Sequence, residues 1–154
     1  MKKPLLRVGL CLVLLMCLAS LPVFAEANLE ELVHVLDDLS QVLGNLIENG
    51  FTIEHFEFDS LVVDNTYPIR YPFYEGFEYV VVGIGGPAIT DFDIYLFDEE
   101  GEPIIDDTEV GRFASVTLNI ETSQINNIVF HNYSIAEEYS ESTPYYFAFV
   151  IAAR

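Results

Sequence analysis

Beyond Cys17 the sequence has no cysteine, beyond Lys3 it has no lysine, and it has no tryptophan at all. The missing thiols exclude disulfides, thiolate nucleophiles and cysteine-ligated zinc from most of the chain, so any fold there rests on its hydrophobic core. The missing lysines remove Schiff-base chemistry and lysine general bases. There is no Gly-x-Ser-x-Gly nucleophile elbow. His34, His55 and His131 stand singly, with no second histidine at ligand spacing, so each reads as a hydrogen-bonded structural residue rather than part of a zinc set. No apolar run after residue 25 is long enough to span a bilayer.

Positive charge is the scarcest property. The sequence has 6 basic and 25 acidic residues, and Lys2, Lys3 and Arg7 precede every acidic one. From Glu26 onward 25 carboxylates face only Arg70, Arg112 and Arg154, a net charge of −22. Such a surface repels phosphate backbones and anionic headgroups, which disfavours nucleic acid and membrane docking and leaves cations and basic molecules as ligands. The same charge also confers solubility.

The first residues read as a secretory signal peptide. A basic start is followed by the apolar run Val8–Leu18 and by Val23-Phe24-Ala25, with small residues where a signal peptidase cuts. Cleavage after Ala25 leaves an exported protein, periplasmic or extracellular, with no thiol. A lipoprotein anchored through Cys17 is the competing reading, against which Met16 stands where a small residue belongs. The rest reads as one domain over residues 26–154, long enough for a sizeable core.

The first element after the leader is a helix over residues 28–49, with Asn28 as N-cap and Glu31 three residues on. Leu29, Leu32, Val33, Leu36, Leu39, Val42, Leu43, Leu46 and Ile47 form its apolar stripe, and Gly50 stops it. The stripe packs on its own domain or serves as a seam for a second chain, with Leu36 and Leu43 at its centre.

From Phe51 the period changes to two, predicting a β-sandwich over residues 51–152. Phe51–Asp59 is a strand, and Glu78–Ile84 is a β-branched run buried on both faces. Asp91–Phe97 alternates and enters the acidic turn Asp98-Glu99-Glu100-Gly101, from which Glu102–Ile105 returns. Ser115–Ile120, Ile128–His131 and Tyr145–Ala152 follow. The stretch Tyr67–Tyr74 carries two prolines, so it is an edge or a loop. Its aromatics Tyr67, Tyr71, Phe73 and Tyr74 either cover a sheet edge or form a stacking platform for a partner. Seven to eight short strands with regular turns predict a mainly β fold, an antiparallel, jelly-roll-like β-sandwich preceded by one amphipathic α-helix.

At Asp91-Phe92-Asp93-Ile94-Tyr95-Leu96-Phe97-Asp98 with Gly101, and at Pro144-Tyr145-Tyr146-Phe147-Ala148-Phe149-Val150, the chain resembles the bacterial pre-peptidase C-terminal (PPC) domain. The resemblance covers about residues 77–152, with Ser142-Thr143-Pro144 where the family carries glycine. It implies a small sandwich that binds or stabilises, calcium-bound in some members, rather than a catalyst.

Calcium is the cofactor the carboxylates point to, since a hard cation wants six to eight oxygens. Asp91, Asp93, Asp98, Glu99 and Glu100 form one cluster, Asp106 and Asp107 a second across the turn. The spacing is not that of an EF-hand loop, and acidic turns also cap their own amides. The pattern points to a non-enzymatic exported binding or accessory protein that holds a protein, a polymer or a cation. A small secreted hydrolase using paired carboxylates, and a homo-oligomer joined through the helix, are the alternatives.

Overall fold

The described residues of the computed structural model are 22–154. The leader expected over Met1–Ala25, with Cys11 and Cys17, lies outside them up to residue 21. The chain divides into two compact units, Met1–Glu30 and Glu31–Arg154, and the architecture described here belongs to the second.

Helix α1 spans Pro22–Glu48, so it begins before Asn28, which lies within the helix and is not its cap. Proline suits a first helical position because its fixed φ is already helical and its missing N–H is one the helix would leave unpaired. The expected stop at Gly50 is present: Gly50 has φ 84°, its N–H donates to Ile47 O at 3.0 Å, and Phe51 N–H donates to Leu46 O at 3.0 Å. These two bonds are the pair that closes a helix through a left-handed glycine.

Eight strands follow: β1 (Thr52–Leu61), β2 (Thr66–Phe73), β3 (Glu78–Gly85), β4 (Ile89–Phe97), β5 (Pro103–Asp107), β6 (Phe113–Asn119), β7 (Gln124–Ile135) and β8 (Tyr145–Ala153). They form two four-stranded antiparallel sheets, in the orders β1-β8-β3-β6 and β2-β7-β4-β5. This is the order of a jelly roll, in which successive strands change sheets except at the β4–β5 hairpin. The proline-bearing stretch is β2, an edge strand, where its missing N–H groups disturb the ladder least.

The two long apolar runs are explained by burial on both faces. In β8, Tyr145, Phe147, Phe149, Ile151 and Ala153 enter the core between the sheets, while Ala148 and Val150 join a second cluster with Val35 and Leu39 of α1. In β3, Tyr79 and Val81 face the inner core and Ile84 the helix. A strand with one wet face would alternate; these cannot. The helical segment from residue 31 thus covers the outer face of its own first sheet. Burying Val35 (0% exposed) and Leu39 (4%) there stabilises the fold by roughly 1.5–3 kcal/mol per side chain.

Candidate cation-binding face

The seven carboxylates singled out by sequence do not assemble into one shell. Asp98 closes the β4–β5 turn, its Oδ1 accepting from Glu102 N–H at 2.7 Å, and Glu99 pairs with Arg70 at 3.4 Å. Glu100 and Asp106 are exposed. Asp107 accepts from Ser115 N–H at 2.7 Å and Glu109 N–H at 3.2 Å. Among the described residues no group of three or more histidine, cysteine or carboxylate side chains is placed to hold a metal ion. The reason is local: carboxylates beside turns are consumed by the amides those turns leave unpaired.

The residues singled out for a partner separate as well. Leu36 is exposed, whereas Leu43 is half-buried against the helix–sheet cluster. Phe73 is fully buried, and Tyr67 and Tyr71 pack against the inner core; of the four aromatics only Tyr74 stands in solvent. They cover a sheet edge from within and make no outward platform. Tyr67 also donates its hydroxyl to Glu57 Oε1 at 2.9 Å, and this bond with burial pushes its pKa up to about 12.

Asp91 and Asp93 differ from the other five because they are buried, at 8% and 3% exposure. Strand β4 lies between β7 and β5, and its Phe92, Ile94 and Leu96 fill the core at 0% exposure. Alternation therefore puts Asp93, Tyr95 and Phe97 on the opposite, outer face. The β7 register sets His131 directly across from Asp93. Asp91 is held by the loop before β6: Gly111 N–H donates to its Oδ1 at 3.4 Å, and Phe92 N–H donates to Gly111 O at 2.8 Å.

Asp93 is under-satisfied. Its Oδ2 accepts the Tyr95 hydroxyl at 2.9 Å and lies 3.7 Å from His131 Nδ1, while Oδ1 is buried with no hydrogen-bond partner. Loss of solvent pushes the Asp93 pKa up, opposed by the Tyr95 bond and by His131 and reinforced by the charges of Asp91 and Asp107. Tyr95 is raised in turn to about 12, first by burial and then by its bond to Asp93.

A continuous row of four rings runs past this carboxylate, with Tyr95 and His131 beside it. Phe97 and Tyr95 stack at 6.5 Å, Tyr95 and His131 lie 6.4 Å apart, and His131 meets Tyr133 edge-on at 5.6 Å. Tyr133 is exposed and the other three are half-buried. Aromatic faces beside buried carboxylates form a site for positive charge, because the ring quadrupole and the carboxylate attract it together.

The sequence reading had Asp93 but missed Tyr95, Phe97, His131 and Tyr133 as its company. The i, i+2 spacing of Asp93, Tyr95 and Phe97 already placed those three on one face; only the β4–β7 register brings in the other two.

One groove, between α1 and the first sheet, is apolar and carries no carboxylate: Val42, Leu46, Val82 and Phe113 line it. The three arginines of the described residues pair within the chain, with Glu99 (3.4 Å from Arg70), Asp38 (2.6 Å from Arg112) and Glu78 (2.6 Å from Arg154). Among the described residues no helix is long and apolar enough to cross a membrane.

No family model matches the chain, and no curated protein matches it. Solved structures similar to it include a periplasmic lysozyme inhibitor of g-type lysozyme from Aeromonas hydrophila, 12% identical over 69% of this chain and 90% of that one, with a TM-score of 0.48. Another is the carbohydrate-binding module CBM36 in complex with calcium and xylotriose, 11% identical over 68% of this chain and 92% of that one, with a TM-score of 0.34. Neither likeness bears on what this chain binds.

Proposed function

We propose that this is an exported, non-enzymatic binding protein whose partner is a cationic protein. The observation that carries the reading is the distribution of charge. Each arginine of the described residues faces a carboxylate of the same chain, Arg70 and Glu99 as an exposed pair at 3.4 Å, and no lysine follows residue 3, so carboxylates far outnumber cationic groups on the surface. Such a field speeds the approach of basic proteins and turns away phosphates and acidic ones.

Export rests on the leader pattern of the first 25 residues. The non-enzymatic character rests on the residue inventory, which offers no cysteine or lysine nucleophile in the exported chain, and on buried carboxylates that face a sheet surface instead of converging across a cleft. The resemblance of the Asp91–Asp98 and Pro144–Val150 stretches to the pre-peptidase C-terminal domain belongs to the same proposal, since it implies a binding module.

The test is binding of the secreted chain to immobilised poly-L-lysine, poly-L-glutamate and a neutral xylo-oligosaccharide, at low and high salt. Capture by polylysine alone, weakening as salt rises, is the expected result. Capture by the sugar, or by neither polypeptide, would overturn the reading.

A further inference from the structure

We propose that Asp93 is the seat of a single lysine ammonium or arginine guanidinium from the partner, and that the Tyr95 hydroxyl holds that seat in the free protein. This rests on the reading of the protein as a binder of cationic partners and gives it a defined contact.

Three observations converge on the site. A carboxylate offers about four lone-pair directions, yet Asp93 satisfies only one, with the Tyr95 hydroxyl; Oδ1 is buried and empty-handed. His131 Nδ1, at 3.7 Å, lies beyond hydrogen-bond reach. Second, no arginine compensates the local charge; the one cationic group facing it is His131, 3.7 Å away, which carries charge only when protonated. Asp91 lies buried two residues away and Asp107 adds to the repulsion, while Arg70, Arg112 and Arg154 are all engaged elsewhere. A buried carboxylate without a cation is costly, so a cation delivered from outside is favoured there. Third, Asp93 lies beside an aromatic row: Tyr95 and His131 are next to it, and Phe97 and Tyr133 extend the row from those two rings.

The same features select the chemistry of the cation. A calcium ion wants six to eight oxygens, and no group of even three suitable side chains is placed for it among the described residues. An ammonium or guanidinium needs fewer acceptors, donates directional N–H bonds and gains from the faces of aromatic rings. The Tyr95 hydroxyl already plays the donor's part on Oδ2.

The experiment is calorimetric titration of the secreted chain with hexalysine and with hexa-arginine at about 0.15 M salt, where diffuse attraction is largely screened. It compares wild type with Asp93→Asn, with Tyr95→Phe, and with Glu141→Gln, which removes one charge from an exposed loop outside the site. Asp93→Asn is expected to weaken binding by about tenfold or more, as loss of a charge-assisted hydrogen bond does. Glu141→Gln should stay within about twofold of wild type, as a screened rim charge does. Tyr95→Phe, which frees Oδ2, should bind at least as tightly as wild type.

Equal weakening by Asp93→Asn and Glu141→Gln would overturn the Asp93 seat while leaving a cationic partner intact. No binding of either peptide to wild type, even at low salt, would overturn the broader reading too. A second measurement needs no variant: in carboxyl-labelled wild type the Asp93 carbon signal should move most when hexalysine is added. Its failure to move while other carboxyl signals do would overturn the seat, as would a larger response to calcium or xylo-oligosaccharide.

Discussion

Glu31 on α1 and Gly86 in the β3–β4 turn touch so closely that a Cβ at residue 86 would sit 2.9 Å from Glu31 Oε1. It would also sit 2.8 Å from the backbone oxygen of Tyr146. Gly86 thus lets the helix lie against the turn, and its own N–H donates to that Tyr146 oxygen at 2.9 Å. Gly86→Ala is expected to destabilise the fold by about 1–3 kcal/mol, the usual cost of overpacking. Denaturant unfolding measures it. Adding Glu31→Ala should recover only part of the loss, because the backbone oxygen cannot retreat as a side chain can.

Glu31 also makes the fold sensitive to pH. Its Oε1 is buried without a partner, and burial raises its pKa from 4.5 to about 7, against a smaller lowering from the Tyr146 backbone. The folded state therefore binds the proton more tightly than the unfolded one. Stability contributed by this group is full below pH 4.5 and is lost as pH rises toward 7. Melting temperatures of wild type and Glu31→Gln across that window should diverge, wild type falling relative to the variant. Parallel curves would show that Glu31 carries no proton linkage.

Asp93 predicts a trade of stability for binding. Its pKa is raised mainly by loss of solvent, so its charged form is a cost to the fold that appears as pH rises through the folded pKa. Asp93→Asn keeps the shape and an acceptor for the Tyr95 hydroxyl while removing the charge. The variant should melt higher than wild type at neutral pH, and the gain should shrink at pH values where wild-type Asp93 is protonated. A lower melting temperature at neutral pH would mean that the carboxylate is stabilising where it sits.

Leu36 and Leu43, two turns apart on the helix stripe, should respond unequally to the same change. Leu43 packs with the cluster of Val35, Leu39, Ile84, Ala148 and Val150, whereas Leu36 is 41% exposed. Leu43→Glu should cost about 2–4 kcal/mol, from lost packing and a buried charge. Leu36→Glu should stay within about 0.5 kcal/mol. A large loss for Leu36→Glu, with a drop in solution mass, would reveal a second chain on that face.

The inner core is anchored by Phe149, which is fully buried and stacks on Phe130 at 4.5 Å. Phe149→Ala should cost about 3–5 kcal/mol in unfolding experiments, more than any surface change named above.

Much of this was legible in one dimension. The switch from a 3.6 to a 2.0 period at Phe51 marks the end of the helix and the start of the sheets, because side-chain direction follows the local backbone. Unbroken apolar runs in β3 and β8 announce strands with two dry faces, and the prolines of β2 announce an edge. The charge inventory, fixed by composition, already disfavoured nucleic acid and anionic membranes as ligands. The acidic clusters were less legible: at 25 carboxylates in 154 residues, spacing does not distinguish a turn cap from a ligand.

Only the tertiary structure decided which carboxylates are buried. Asp93 meets His131 across 38 positions of sequence, through a β4–β7 register with shifts near Asp91 that no local pattern encodes. Arg112 finds Asp38 across 74 positions and Arg154 finds Glu78 across 76. Periodicity is a property of neighbouring residues and survives in the sequence alone; burial and pairing of charge depend on which distant strands lie side by side, and that is settled when the two sheets and the helix pack.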